Sequence, residues 1–345
     1  MKTLKDIAKE MGVSEATISY VYNDKWKKNR INPDLAKKIS RKLKEEKYRP
    51  NSLGLQLKTK KTKTIGIILG DLTRNFSLNI LSGIEKVLTQ KGYFSIVCSS
   101  NLGILEEEQL ETFSERNTDG IIFAPHNNGK RTVDIVKKLN DELPIVLVDN
   151  YIKESKIDFV VSDNYLGASL AVKNLIRKGK KKIAYIGSEK KLTALTERFD
   201  GYVRVLKEEG LGIDEKLIWK KPGIYTAIQN MLSKENPDAI FIESLMYFKE
   251  GFKFLAENNY KIPDDIALTG FDPVDLNLGE IQELNFHSLV NQPIPFVEQT
   301  GTRIGELAAE ILMDRIQRKK RENSQMFLMP ELKFFNLKEH NGKEL

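Results

Sequence analysis

The 345-residue chain holds one cysteine, three histidines and two tryptophans, and no apolar run approaches the ~20 residues that a membrane-spanning helix needs. Each scarcity closes a class of function. A lone Cys98 forms no internal disulfide, so packing alone must hold the fold, and a reducing cytoplasm is the expected compartment. His126, His287 and His340 are too scattered for a zinc site, and neither a metal nor another cofactor is expected. A Gly-rich phosphate loop is missing, as is a nucleophile with a base at motif spacing, which argues against an enzyme. The early charges are not followed by an apolar stretch, so no secretory leader is expected either.

What is present is an uneven distribution of charge. The whole chain carries 55 Lys and Arg against 48 Asp and Glu. Residues 1–62 hold 17 basic and 7 acidic groups, a net of +10, which leaves 38 basic and 41 acidic groups, a net of −3, in the other 283 residues. The entire basic excess therefore lies in the first fifth of the chain. Neutralising phosphates releases counterions, so such a segment is expected to bind a polyanion with strong salt dependence.

The same segment has helical periodicity. Leu4, Ile7, Ala8 and Met11 recur at the interval of one buried helical stripe, and Gly12 stops it. Ser14 is placed to cap a second helix, with Glu15 at its positive end. Val13, Ile18 and Val21 turn inward, which leaves Glu15, Ala16, Ser19, Tyr20 and Asn23 on the outer face. A third helix follows from Asn32 as cap and Pro33 at its first position, with Leu35, Ile39 and Leu43 on one side. Cap, turn and outward face stand in register, which a mere charged tether would not require. An ordinary helical subdomain is the bland alternative, and the localised charge speaks against it.

These residues also carry a resemblance. The run 3–8 (Thr-Leu-Lys-Asp-Ile-Ala), the Gly12-Val13-Ser14 turn, Thr17-Ile18-Ser19, Asn23 and Tyr48-Arg49-Pro50-Asn51 together resemble the headpiece of the lactose-repressor/galactose-repressor family of bacterial transcription regulators, and the likeness continues along nearly the full length. It implies a homodimer on double-stranded, pseudopalindromic operator DNA. On that resemblance, Glu15, Ala16 and Tyr20 meet base edges in the major groove. Thr3, Ser14, Thr17, Ser19, Asn23 and Asn51 belong with the DNA contacts, most of them to phosphates that fix register. Many relatives place Arg at the Tyr20 position, and Tyr makes no bidentate pair with guanine. The loop 24–30 is about three residues longer than in familiar relatives; Trp26 can cover the headpiece core, or the loop is simply solvated. Residues 50–62 read as a conditional hinge helix, too short to persist alone and weakened by Gly54. In the family this hinge folds on DNA, and Leu57 stands where a leucine wedges into the minor groove.

From Thr64 onward short apolar runs alternate with helix-sized amphipathic stretches. Residues 64–69, 94–98, 120–123, 145–148, 182–186, 239–242 and 266–269 read as buried parallel strands, which implies two doubly wound α/β lobes. The expected fold class is thus an all-α helix-turn-helix headpiece (1–49), a hinge (50–62), and a two-lobed, periplasmic-binding-protein-like effector domain. By the resemblance the chain crosses between lobes three times, with 63–163 and 291–323 in the first lobe and 164–290 and 324–345 in the second.

Ligands in such sheets bind at the carboxyl ends of strands. By the resemblance, an effector cleft draws on Phe76, Ser77, His126 and Asp149 from one lobe, on Arg198, Met246 and Asp272 from the other, and on Gln292 in the third crossover. Asp and Arg suit neighbouring hydroxyls, and an aromatic face such as Phe76 covers the apolar side of a sugar. A sugar or phosphosugar is the expected effector. Two departures qualify this. Where relatives carry an Asn-Asp pair this chain has Leu245 and Met246, which suggests a less hydroxylated effector or control by a partner protein acting as corepressor. The turn Gly179-Lys180-Lys181-Lys182 replaces a Gly-His and reads as solvated. The run Glu106-Glu107-Glu108 with Glu111 likewise reads as a solvated helix face. The competing class, a sugar-active or sugar-binding α/β protein with a nucleic-acid tether, remains open, and turnover of a sugar would favour it.

Overall fold

The computed structural model describes residues 2–48, 61–100, 105–127, 129–153, 155–221, 223–272, 289–317 and 322–335. They form two compact units, Met1–Thr62 and Lys63–Leu345.

The first unit packs three helices, α1 (Leu4–Met11), α2 (Glu15–Tyr22) and α3 (Pro33–Glu45), around Ile7, Ala8, Ile18, Val21, Ala36, Ile39 and Leu43. Local chemistry ends each helix where the sequence requires. Thr3 and Asp6 close a reciprocal capping box on α1, and Gly12 stops it in the left-handed region, at φ +63°. Ser14 Oγ accepts from the Thr17 amide, and Asn32 Oδ1 from the Asp34 and Leu35 amides. Caps of this kind are each worth roughly 1 kcal/mol. Trp26 lies half-buried against the core, so the longer loop does cover it, and its indole donates to Asp24. Around the rim, Lys2 and Lys42 each pair with both Glu10 and Glu46, tying the start of the chain and α1 to α3.

The second unit consists of two six-stranded sheets. The first orders as β11-β5-β4-β3-β1-β2, from β1 (Thr64–Leu69), β2 (Phe94–Ser99), β3 (Gly120–Phe123), β4 (Ile145–Val148), β5 (Asp158–Ser162) and β11 (Gln325–Leu328). The second orders as β12-β10-β9-β8-β6-β7, from β6 (Ile183–Ile186), β7 (Ile218–Trp219), β8 (Ala239–Ile242), β9 (Ala267–Phe271), β10 (Ile294–Glu298) and β12 (Glu331–Phe335). Every strand pair is parallel except β10 with β12. Helices α4 (Asn75–Gln90), α5 (Glu106–Glu115), α6 (Lys130–Glu142) and α11 (Gly301–Ile316) belong to the first lobe, and α7 (Asn164–Arg177), α8 (Thr193–Glu208), α9 (Ile224–Asn230) and α10 (Leu245–Glu257) to the second. Burial on both sheet faces explains the unbroken apolar runs of β1, β3, β4, β6 and β8.

In the first lobe, α4 and α11 approach backbone to backbone. A Cβ on Gly305 would lie 2.0 Å from the Ile80 carbonyl oxygen, and one on Gly83 would lie 2.0 Å from that of Thr302. Only glycine admits this contact at either position.

The lobe boundaries differ from the expected ones. Residues 291–323 were assigned as a unit to the first lobe, yet β10 pairs with β9 and buries Ile294 and Phe296 in the second lobe's core. The crossing falls after residue 298. Residues 324–328 were assigned to the second lobe, but β11 pairs with β5 of the first, and the final crossing lies between β11 and β12. The physical reason is pairing: β10 lies between β9 and β12 and hydrogen-bonds both, and β11 pairs with β5 as the edge strand of the first sheet.

Candidate functional site

On α2 the outward residues are those the periodicity selects. Glu15, Ala16, Tyr20 and Asn23 are exposed and Ser19 is half-buried, while Ile18 and Val21 face the core. Thr3 and Ser14 lie exposed at the first turns of α1 and α2, with Ser14 Oγ and Thr17 Oγ1 2.9 Å apart, and the Asn23 side-chain amide donates to the Ser19 carbonyl at 2.8 Å. Thr3, Ser14 and Thr17 sit at helix amino termini, where the helix dipole favours phosphate, whereas Ser19 and Asn23 lie toward the carboxyl end of α2. Asn51 and Leu57 lie outside the described residues.

The second site is a cleft of about 320 Å³ between the two lobes. Phe76 and Ser77 enter it from the first turn of α4, beside Arg74 and Asn75; His126 follows β3, and Asp149 follows β4. Arg198 of α8, Met246 of α10 and Asp272 after β9 line the opposite wall. Asp149 and Asp272 share one backbone device: both take a left-handed conformation at φ +64° directly after a buried strand, turning the chain sharply at the cleft floor. Seven of the eight expected residues are thus brought together.

Gln292 is the exception. It lies at the amino end of β10, beside Lys180 and Pro263 at the far end of the second sheet. Because β10 runs parallel to β9, its carboxyl end is the one that reaches the cleft, and Gln299 lines it instead. Gln299 Nε2 donates to Asp272 Oδ1 at 2.9 Å.

Arg198 is almost wholly buried, at 4 % exposure. Nε donates to Asn164 Oδ1 at 2.8 Å, Nη1 donates to the Glu243 carbonyl at 2.7 Å, and the guanidinium stands 3.7 Å from the Phe271 ring centroid. One side chain thereby joins α7, α8 and the ends of β8 and β9. Asp272 feels its positive charge, although burial still pushes the Asp272 carboxyl above the usual carboxylate range.

Glu243 was not anticipated, although it directly follows the β8 run and the strand-end rule points to it. It lines the cleft, is 1 % exposed, and accepts from the Tyr185 hydroxyl through Oε2. Burial pushes it up to about 7, against the opposing pull of the Tyr185 hydroxyl and Arg198. Lys220, over the Phe199 ring at 3.0 Å, is pushed down by its own burial despite the charge of Glu243.

The acidic run on α5 is the expected solvated face only at Glu108 and Glu111. Glu106 and Glu107 are buried. Glu106 accepts the His126 amide at 2.8 Å and the Asn127 amide at 3.1 Å, and Glu107 accepts from Thr132 Oγ1. Burial raises the Glu106 carboxyl in spite of these bonds. The His126 and Asn127 amides find their acceptors in Glu106, while Glu107 ties α5 to α6 through the Thr132 hydroxyl. His126 Nδ1 lies 2.8 Å from the Ala124 carbonyl, which leaves Nε2 toward Asp149, 3.9 Å away.

Direct links between the lobes flank this cleft. Asn150 Oδ1 accepts the Ala194 amide, Thr193 Oγ1 accepts the Tyr151 amide, and the Tyr151 hydroxyl donates to Glu197 at 2.6 Å. Arg74 Nη2 stands 3.8 Å from Met246 Sδ. Leu245 lines the same wall, so the apolar pair does face the cavity.

Comparison with known proteins agrees with both units. Residues 3–51 match the model of the bacterial regulatory proteins of the lacI family, and residues 62–340 match that of the periplasmic binding proteins and sugar binding domain of the LacI family. The chain is 32 % identical over 338 residues to the HTH-type transcriptional regulator RegA of Clostridium saccharobutylicum, covering 96 % of this chain and 97 % of that one. It is 28 % identical over 339 residues to the HTH-type transcriptional repressor PurR of Vibrio atlanticus, with the same coverage. Among solved structures, the lac repressor dimer bound to operator and the anti-inducer ONPF matches with a TM-score of 0.80 at 18 % identity, over 96 % of this chain and 98 % of that one. The CelR–cellobiose complex matches with a TM-score of 0.69 at 22 % identity and the same coverage. With a capped helix-turn-helix ahead of a two-lobed α/β body, and family matches across both, the chain belongs to the LacI family of DNA-binding transcriptional regulators.

Proposed function

We propose that the protein is a dimeric repressor that reads a pseudopalindromic operator through Glu15, Ala16 and Tyr20 and is controlled by a carbohydrate in the interlobe cleft. Thr3, Ser14, Thr17, Ser19, Asn23 and Asn51 serve DNA binding chiefly as anchors, and Leu57 acts as the minor-groove wedge. The observation that carries the effector reading is Arg198, held by Asn164, the Glu243 carbonyl and the Phe271 ring beneath a cavity lined by Asp149, Asp272 and Phe76. Such a preorganised set of acceptors and donors with one aromatic face suits vicinal hydroxyls. The cellobiose bound to CelR supports the class.

A second copy of the chain is the partner assigned to β2. This edge strand of the first sheet leaves Phe94 77 %, Ile96 41 % and Val97 36 % exposed, an apolar edge that a lone soluble protein ordinarily blunts. Sedimentation of wild type and Ile96→Lys tests this: a dimer that the variant converts to monomer is expected.

Operator binding and effector response are tested together. Full-length protein is titrated onto a palindromic duplex and onto random duplex at several salt concentrations, with and without members of a sugar panel, and thermal shifts are read in parallel. Binding of the folded form raises stability by about 2.7 kcal/mol at 100 times Kd. Equal affinity for all duplexes overturns the repressor reading. No response to any sugar overturns the carbohydrate reading and favours control by a partner protein.

A further inference from the structure

Charge in the cleft is unbalanced. Its lining holds five carboxylates, Asp71, Asp149, Glu243, Asp272 and Glu298, against the cations Arg74, Lys190 and Arg198. Asp71 already pairs with Arg74 at 3.3 Å, and Glu298 pairs with Lys333. Arg198 acts on both the buried Glu243 and the half-buried Asp272, with Lys220 as a second cation near Glu243 and Arg74 near Asp272. Asp149 has His126 and the Asn150 side-chain amide beside it.

One atom is conspicuous within this set. Glu243 Oε1 is buried with no hydrogen-bond partner, whereas Oε2 receives the Tyr185 hydroxyl and the main-chain carbonyl receives Arg198. Buried acceptors are nearly always satisfied, so one left without a partner on a residue that lines a ligand cleft points to a donor supplied by the ligand. A phosphate supplies none. A hydroxyl supplies a donor without charge, and an ammonium supplies both a donor and a positive charge against the excess of carboxylates in the lining.

Resting on the carbohydrate reading above, we propose that Glu243 is a specificity-determining residue and that the effector is an amine-bearing sugar whose ammonium group is taken up by Glu243 Oε1 between Arg198 and Asp272. Phosphosugars are then excluded by the surplus of carboxylates. The apolar pair Leu245 and Met246 faces the sugar's less hydroxylated edge, in keeping with the loss of polar side chains there. The groups around Glu243 are Tyr185 from β6, the Ser188 amide after it, Arg198 from α8, Lys220 beyond β7 and, sharing Arg198, Asp272 after β9. None of these hydrogen-bonds Oε1.

The test uses the full-length protein and a matched panel: glucosamine, galactosamine and mannosamine, the corresponding N-acetyl sugars, neutral hexoses and hexose 6-phosphates. Affinities come from calorimetry and thermal shift at pH 8 and pH 6. At least one amino sugar is expected to bind tenfold or more tighter than its N-acetyl and neutral counterparts. In Glu243→Gln that preference is expected to shrink to within about twofold. Should that variant fail to fold, wild type alone decides: the preference must weaken at pH 6, where Glu243 holds its proton. Neutral or phosphorylated sugars binding as well as amines, or a preference that survives both Glu243→Gln and pH 6, overturns the proposal while leaving the carbohydrate reading intact. If no sugar of any kind binds, both readings fall together.

Discussion

Arg198 donates from Nη1 to the main-chain carbonyl of Glu243 at 2.7 Å, so the helix that carries the arginine is tied to the end of β8 at the floor of the cleft. The contact is independent of the Glu243 side chain. It allows the carboxylate to be altered without releasing the guanidinium, and it makes the arginine itself far less replaceable.

Arg198→Met is expected to destabilise the second unit by about 3–5 kcal/mol, because it removes a buried guanidinium from beside Glu243 and Asp272 and leaves Asn164 Oδ1 and the Glu243 carbonyl without their donor. Urea unfolding of the full-length chain followed by tyrosine and tryptophan fluorescence measures it. A loss below about 1 kcal/mol would show that the arginine is not a structural tie.

Stability is expected to fall as pH rises toward neutrality. Glu243 is raised from 4.5 to about 7 in the folded chain. A folded-state acid with a raised pKa stabilises fully below its unfolded value, and that contribution is lost as pH climbs through the folded one. The window therefore runs from about pH 4.5 to 7, and the effect is at most on the order of 3 kcal/mol. Burial raises Asp272, Glu106 and Glu197 in the same direction. Melting temperatures between pH 5 and pH 8 should fall more steeply in wild type than in Glu243→Gln; parallel curves would contradict this.

Gly305→Ala is expected to cost roughly 1–3 kcal/mol through overpacking, at the upper end because its Cβ meets a backbone oxygen, not a movable side chain. Gly92→Ala is a useful contrast: nothing lies within 4 Å of its Cβ, and the strain comes only from φ +68°. A Gly305→Ala variant as stable as wild type would mean that α4 and α11 separate without penalty.

Tyr20→Ala is expected to lower affinity for the operator about tenfold or more while leaving binding to random duplex within about twofold, since a base-edge contact carries sequence information and a phosphate contact does not. Lys5→Ala should instead weaken both alike and flatten the salt slope. Filter binding across a salt series separates the two patterns; equal losses for Tyr20→Ala would remove it from the reading face.

The headpiece was legible from residues 2–48 because its signals are local. Apolar spacing, the Ser14 and Asn32 caps, and the Gly12 stop are each decided within a turn or two of chain. Strands β1, β3, β4, β6 and β8 announced themselves as apolar runs because both faces of a parallel sheet are buried. Strands β10 to β12 did not, since Ile-Pro-Phe-Val-Glu, Gln-Met-Phe-Leu and Glu-Leu-Lys-Phe-Phe mix polar and apolar residues at strand ends and edges. The lobe assignments that depended on them moved accordingly, and Gln292 moved away from the cleft with them.

By itself, then, the sequence determined the boundaries of the headpiece helices, the alternation of strands and helices in the body, and the segregation of positive charge, all of them features readable from residues near one another along the chain. Only the tertiary structure decided which strand completed which sheet, that Glu106 turns inward to the amides of the His126 loop and Glu107 to the Thr132 hydroxyl, and that Glu243 lies buried beside Arg198 with one oxygen unpartnered. Those outcomes rest on desolvation and on partners dozens of residues away, and a carboxylate in a linear sequence carries no mark of whether water or an amide will meet it.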